Sequence, residues 1–173
     1  MNTQLDNSKY KLAGHFNYQH IRDGVIIDEW KEPNLVVDEG LEYALANSFD
    51  GATPSETTWF IGLFTGNYTP VNTDTAATFP ADATETTTQY SEATRPVWVQ
   101  AGVTANAIGN SASPGIFTFT APTTNVYGAF LVSSNVKGGT AGILTAASRF
   151  ASLRVMLDTD KLNVTYVLTA SSS

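Results

Sequence analysis

The stretch Trp59-Phe-Ile-Gly-Leu-Phe-Thr-Gly-Asn-Tyr-Thr-Pro-Val71 joins a short apolar run to a turn rich in Gly, Asn and Pro. A long segment rich in Thr, Ala and Asp follows, and the chain returns to a strand through Glu92-Ala-Thr-Arg-Pro-Val-Trp98. A short apolar run bounded by turn residues is typical of a buried β-strand. We therefore predict strands at residues 57–65 and 97–104, joined by a long connection.

The rest of the chain repeats this pattern of short strands and turns. Residues 12–30 predict a β-hairpin, because Asp23-Gly24 supplies the positive φ angles of a tight turn between two alternating runs. Further strands are predicted at residues 115–121, 126–134, 143–150, 153–157 and 161–169. Regularly spaced short strands and a high Thr content indicate an all-β antiparallel β-sandwich.

The strand pattern is interrupted by one helical segment and one irregular segment. Helical spacing places Val37, Leu41, Ala44, Leu45, Ser48 and Phe49 on one face, which predicts one short helix at about residues 38–49. The irregular residues 72–91 predict a long loop, and loops of that length are functional or disordered when isolated. We expect this loop to lie at an interface, residues 1–10 to form an N-terminal arm, and residues 11–173 to form a single domain.

Composition narrows the classes of function. Charged residues make up only 14% of the 173 residues, so the surface is mostly neutral and polar, which suits contact with neighbours. The net charge of −7 argues against binding to nucleic acid or to an anionic membrane. The absence of Cys excludes disulfides and thiolate metal sites. With no membrane-length apolar run and no export signal at the N-terminus, we expect synthesis in a cytoplasm without export.

No residue pattern indicates an active site, a metal or a cofactor. His15 and His20 are an odd number of residues apart on the first strand, so they point to opposite faces and cannot share a metal. The acidic residues of the irregular segment lack calcium-loop spacing and are interpreted as solvated carboxylates. There is no Gly-x-Ser-x-Gly elbow, and the glycines of residues 137–142 predict a hairpin turn rather than a phosphate-binding loop.

The aromatic residues allow two interpretations. An exposed group could stack on sugars, whereas buried side chains would pack in the core or at a subunit interface, which is the interpretation we favour. The residues concerned are Trp30, Trp59, Tyr68, Tyr90, Trp98 and Tyr127. Arg95 is predicted to form an anchoring ion pair with Glu92, either within the fold or across an interface.

Several short pieces occur in an order that resembles a recurrent group of structural proteins from tailed-bacteriophage virions. The pieces are Asn34-Leu-Val-Val-Asp-Glu-Gly-Leu41, Trp59-Phe-Ile-Gly-Leu-Phe64, Asn67-Tyr-Thr-Pro70, Glu92-Ala-Thr-Arg-Pro-Val-Trp98 and Tyr127-Gly-Ala-Phe-Leu131. The resemblance extends from about Gly14 to the terminal strands. It implies a non-enzymatic virion component, and among such components a jelly-roll-like capsid decoration or cement protein on the capsid surface.

Such a protein would bind the major capsid protein, form a homo-oligomer, either a dimer or a trimer, and need no cofactor. The residues expected at its interface are Tyr68, Asp74, Phe79, Glu85, Tyr90, Arg95 and Trp98. The alternative is a tail- or neck-associated module that binds a receptor glycan through exposed aromatics such as Trp98 or Tyr68. An enzyme acting on cell wall or capsule is a third possibility, with no residue to nominate as catalytic.

Overall fold

Two five-stranded antiparallel sheets dominate the protein in our computed structural model, which describes residues 10–50 and 55–172. The strands are β1 Tyr10–Arg22, β2 Val25–Pro33, β3 Leu35–Val36, β4 Trp59–Phe64, β5 Val97–Trp98, β6 Ala107–Gly109, β7 Gly115–Thr118, β8 Thr123–Val132, β9 Leu144–Leu157 and β10 Lys161–Ser172. The helical elements are α1 Asp38–Leu45, a π-helical turn Ala46–Asp50 and α2 Phe79–Asp82. The predicted all-β sandwich with a short helix is confirmed.

Sheet A contains β1 and β10, the first and last strands of the described residues. Its order is β2-β1-β10-β6, and β7 also pairs with β10. β1 and β10 pair along almost their whole length, from Tyr10 opposite Ser172 to Ile21 opposite Lys161. The predicted β1–β2 hairpin is confirmed, and its turn residues Asp23 and Gly24 have φ angles of 52° and 78°. Positive φ at both positions matches the twist of the two strands.

Sheet B has the order β3-β9-β8-β4-β5 and contains the apolar run Trp59–Phe64 as β4. In the β4–β8 pair, Gly62 lies opposite Phe130, and Phe64 lies opposite Gly128. A Cβ atom on either glycine would collide with the aromatic ring opposite. Each ring therefore lies over the glycine of the neighbouring strand, which explains why both strands combine Gly and Phe.

Both faces of sheet B are covered. Its inner face packs on sheet A through a large cluster that includes Ile61, Leu131 and Tyr166. Its outer face packs on a second cluster in which Phe79 and Ala83 meet Phe130. Because β8 has buried neighbours on both sides, every residue from Gly128 to Val132 is buried.

The second cluster shows where residues 72–91 pack. These residues form a long connection between β4 and β5, as predicted, but the connection contains α2 and buries Ala76, Phe79, Ala83 and Tyr90 against the sandwich. Ala76, Phe79 and Ala83 form a third layer over the outer face of sheet B, whereas Tyr90 packs in the cluster between the two sheets. The low apolar content of this segment concealed the few apolar residues that anchor it.

Other strand boundaries also differ from the prediction. The strands predicted at 143–150 and 153–157 are one strand, β9, which begins at Leu144 and contains a bulge: Gly128 pairs with Arg149, whereas Val126 pairs with Arg154. The predicted strand at 97–104 shortens to β5, and β6 was not predicted.

Residues 1–9 of the predicted N-terminal arm lie outside the described residues, and Tyr10 already belongs to β1. Within residues 10–50 and 55–172, no helix is long and apolar enough to cross a membrane.

Candidate interaction surfaces

The residues predicted at an interface lie mainly inside the protein. Six of them are no more than 8% exposed: Asp74, Phe79, Glu85, Tyr90, Arg95 and Trp98. Tyr68 is half-buried. These side chains contact other parts of the same chain: Phe79 packs in the second cluster, whereas Tyr90 and Trp98 pack between the two sheets. The six buried side chains are therefore not available to a partner.

Arg95 and Glu85 form a buried ion pair, so the predicted pairing of Arg95 with Glu92 is wrong. Arg95 Nε and Nη2 donate to the two carboxylate oxygens of Glu85 at 2.8 and 2.6 Å. Both side chains are at most 1% exposed. Glu92 instead accepts the backbone N–H of Thr118 at 3.0 Å. Proximity in sequence was misleading because the third layer brings Glu85 next to Arg95.

This ion pair also holds the β8–β9 connection, the predicted hairpin turn at residues 137–142. Arg95 Nη1 donates to the Ser134 carbonyl at 2.9 Å, and Glu85 accepts the Gly138 N–H at 2.8 Å. Lys137 Nζ donates to the Tyr90 carbonyl at 3.2 Å and lies 3.6 Å from the centre of its ring. Burial, together with the nearby Glu85 carboxylate, raises the pKa of Tyr90. The glycines of residues 137–142 therefore belong to a structural turn.

The aromatic residues proposed for sugar stacking do not form an exposed platform. The Trp98 Nε1–H donates to the Tyr166 carbonyl at 3.1 Å inside the core. Tyr68 donates to Asp74 at 2.6 Å, and this hydrogen bond raises the pKa of Tyr68 to about 12. Among the Trp and Tyr side chains that the structure describes, each is buried or half-buried. The predicted core packing of these aromatics agrees with this arrangement.

His20 and Asp160 form a second buried polar cluster, at the hairpin end of sheet A. His20 Nε2 lies 2.7 Å from Asp160 Oδ2, and Arg22 donates two hydrogen bonds to the same carboxylate at 2.8 and 2.7 Å. The Leu157 N–H donates to it at 2.8 Å. Burial would raise the pKa of Asp160, but these hydrogen bonds outweigh burial and hold the pKa well below its usual range. His20 therefore has a structural partner.

Asp160→Asn is expected to lower the free energy of unfolding at neutral pH by about 2 kcal/mol, because a charged acceptor of several hydrogen bonds is lost. A carboxylate with a lowered folded-state pKa stabilises the fold above its unfolded pKa of about 4 and loses this contribution as the pH falls further. In urea denaturation, the free energy of unfolding should therefore fall less between about pH 6 and pH 3 in Asp160→Asn than in the wild type. Asp158→Asn, at an exposed neighbouring position, is the control. An equal fall in the free energy of unfolding in all three proteins would contradict the stabilising role of the Asp160 carboxylate.

A first exposed apolar surface, the helix groove, lies between α1 and the start of β1. Its volume is about 580 Å³, and its lining residues are Leu12, Leu41, Ala44, Leu45, Ser48 and Phe49. α1 contacts β9 through Gly40, where a Cβ atom would collide with the Thr145 backbone. The apolar stripe beside this contact stays outside, so Leu45 is 54% and Phe49 is 85% exposed.

The helix groove is held in place by a half-buried carboxylate. Glu39 of α1 accepts the Leu144 N–H at 2.6 Å and the Ala76 N–H at 2.8 Å, which ties the helix to β9 and to the third layer. Tyr43 packs edge-on against Trp59 at 5.6 Å between ring centres. The exposed stripe therefore belongs to an anchored helix.

A second exposed apolar surface, the hairpin end, lies where β2 begins. Val25, Ile26 and Ile27 are 47–62% exposed. Asp28 of β2 accepts a hydrogen bond from Arg154 of β9, and Glu32 accepts one from the Ala151 N–H. Because residue numbers rise along β2 while those of the partners fall, the two strands lie side by side and run in opposite directions. This arrangement brings the exposed apolar residues 155 and 157 of β9 toward the same end. Three consecutive apolar residues after a hairpin turn break the strand alternation, and that signal in the sequence was missed.

The two surfaces lie at opposite ends of β1. Leu12 borders the helix groove, and Arg22 is the last residue before the hairpin turn. Ten residues of extended strand span about 33 Å. One sandwich therefore presents two apolar surfaces at a fixed separation.

No family model matches this sequence, and no curated protein matches it. Within residues 10–50 and 55–172, no group of three or more His, Asp or Glu residues is placed to hold a metal ion. The functional assignment therefore depends on the geometry of the two surfaces and on the resemblance described above.

Proposed function

We propose that the protein is a non-enzymatic structural component of a tailed-phage virion, a capsid decoration or cement protein that joins neighbouring major capsid subunits. The observation that carries this proposal is the pair of exposed apolar surfaces at opposite ends of one braced sandwich. Contiguous exposed apolar surface commonly marks a site of protein contact. Two such sites on one domain suit a protein that bridges two neighbours.

Three buried or half-buried carboxylates support this bridging role. Glu39 accepts the Leu144 N–H, Glu85 accepts the Gly138 N–H, and Asp160 binds His20 and Arg22, so each carboxylate joins segments that are distant in sequence. The sandwich holds its two apolar surfaces at a fixed separation. Once one surface has bound a capsid subunit, the other is therefore present at high effective concentration beside the neighbouring subunit. A protein that binds the assembled lattice but not free subunits stabilises the lattice by mass action. Dimers or trimers of the protein would match local symmetry axes of the shell.

Replacing Leu45 and Phe49 with Ser together is expected to lower the heat resistance of the particles and to reduce the bound amount of this protein. The isolated domain should keep its stability within about 0.5 kcal/mol, because both side chains are already exposed. The first effect is measured by heating the particles and recording the temperature at which the released genome becomes accessible to a fluorescent dye.

Val103→Ser is the matched control, since Val103 is 72% exposed and lies outside both surfaces. Particles carrying it should melt like the wild type. Equal melting of particles with the double variant and with the control would contradict the bridging role of the helix groove.

A further inference from the structure

We propose that the helix groove binds an apolar segment flanked by Lys or Arg residues and contributed by a different protein of the assembly. This inference rests on the proposed function and specifies the partner that the groove accepts. It depends on the shape of the groove, on the charges at its rim, and on the like charges that a contact between two copies of this chain would bring together.

The shape of the groove suits an elongated segment. Leu41 and Leu45 are one helical turn apart, as are Ala44 and Ser48, so the apolar strip runs along the helix. Leu12 of β1 forms part of the lining, and Phe49 extends the strip beyond α1. A helix or strand that places apolar side chains at regular intervals would fill such a groove.

The described residues around the groove carry a net negative charge. Residues 38–50 contain Asp38, Glu39, Glu42 and Asp50 and no Lys or Arg. Glu39 is occupied by two backbone N–H groups, whereas the other three are exposed. Lys11, exposed on β1 beside Leu12, contributes one positive charge, so the three exposed carboxylates leave a negative balance among the described residues around the groove. Complementary charge on a partner requires basic residues beside its apolar side chains.

The same charges disfavour a second copy of this chain as the occupant. If two copies met through α1, Glu42 and the acidic residues at both ends of the helix would face one another. Neither helix offers a cation to pair with them. Like charges across an interface oppose binding, so a partner with basic flanks is favoured over self-association.

The test uses three synthetic helical peptides of equal length, because the natural partner is unidentified. The first combines a Leu stripe with flanking Lys, the second replaces each Lys with Glu, and the third keeps Lys but replaces each Leu with Ser. Titration into the ¹⁵N-labelled full chain, followed by NMR, should show that the Leu/Lys peptide shifts the amide signals of Leu41, Leu45 and Phe49. The other two peptides should bind at least tenfold more weakly.

Variants locate this binding. Glu42→Lys, and separately the Leu45→Ser and Phe49→Ser double variant, should each raise the Kd of the Leu/Lys peptide at least fivefold. Glu29→Lys on β2 changes the net charge equally and should leave that Kd unchanged. Equal affinity for the Leu/Lys and Leu/Glu peptides would overturn the proposal, as would the same loss in Glu29→Lys. Concentration-dependent self-association that shifts the same signals would identify a second copy as the occupant and would also overturn it.

Particle measurements separate this inference from the proposed function. If the Leu45→Ser and Phe49→Ser variant lowers particle heat resistance but Glu42→Lys does not, the basic-partner inference fails and the bridging function stands. If the Leu/Lys peptide binds as expected but both variants leave the particles unchanged, the bridging function fails.

Discussion

Arg95→Ala is expected to lower the free energy of unfolding by about 3–5 kcal/mol, because it leaves the Glu85 carboxylate buried without its cation. The guanidinium also donates to the Ser134 carbonyl and lies 5.3 Å from the centre of the Phe130 ring. The β8–β9 connection and the third layer would therefore lose a common anchor. Urea denaturation followed by Trp fluorescence measures the loss.

Two comparisons isolate the buried charge as the cause. Arg154→Ala removes a partly exposed ion pair with Asp28 and should cost roughly 1 kcal/mol. The double replacement Glu85→Gln and Arg95→Met removes both charges and should cost less than Arg95→Ala alone. A loss for Arg95→Ala no larger than that for Arg154→Ala would contradict the structural role of the pair.

Phe130→Ala is expected to cost about 3–5 kcal/mol, because the ring covers Gly62 and packs against Phe79 at 5.1 Å between ring centres. Gly62→Ala should cost about 1–3 kcal/mol in the wild type, since the added methyl group collides with that ring. In the Phe130→Ala background the collision is gone, so Gly62→Ala should be neutral or stabilising.

A thermodynamic cycle of these two positions provides the measurement. Gly102→Ala is the control, because a Cβ atom there meets nothing within 4 Å, and it should leave stability unchanged in both backgrounds. Additive effects of Gly62→Ala and Phe130→Ala would show that the ring does not rest on the glycine as described.

Much of the fold could be predicted from local sequence signals. Asp23-Gly24 fixed the first hairpin because a turn with two positive φ angles needs such residues. The two halves of β9 were predicted as separate strands, since Ala151 and Ser152 interrupt the apolar pattern where the strand bulges. The pairing of β1 with β10 joins the two ends of the chain, and no local signal encodes a contact over that distance.

The candidate surfaces were harder to predict than the strands. The apolar face of the helix was recognised from its spacing, but spacing does not show whether such a face is covered or exposed. Glu85 and Arg95 were selected as interface residues, yet folding of the third layer buries both. Charged residues in a polar segment suggest solvent exposure until a partner elsewhere in the fold is known.

The copy number of this chain in purified virions tests the proposed decoration role most directly. Quantitative mass spectrometry against the major capsid protein provides the ratio. The proposed decoration role predicts a copy number comparable to that of the major capsid protein. A handful of copies per particle would contradict it and would favour a position in the neck or tail.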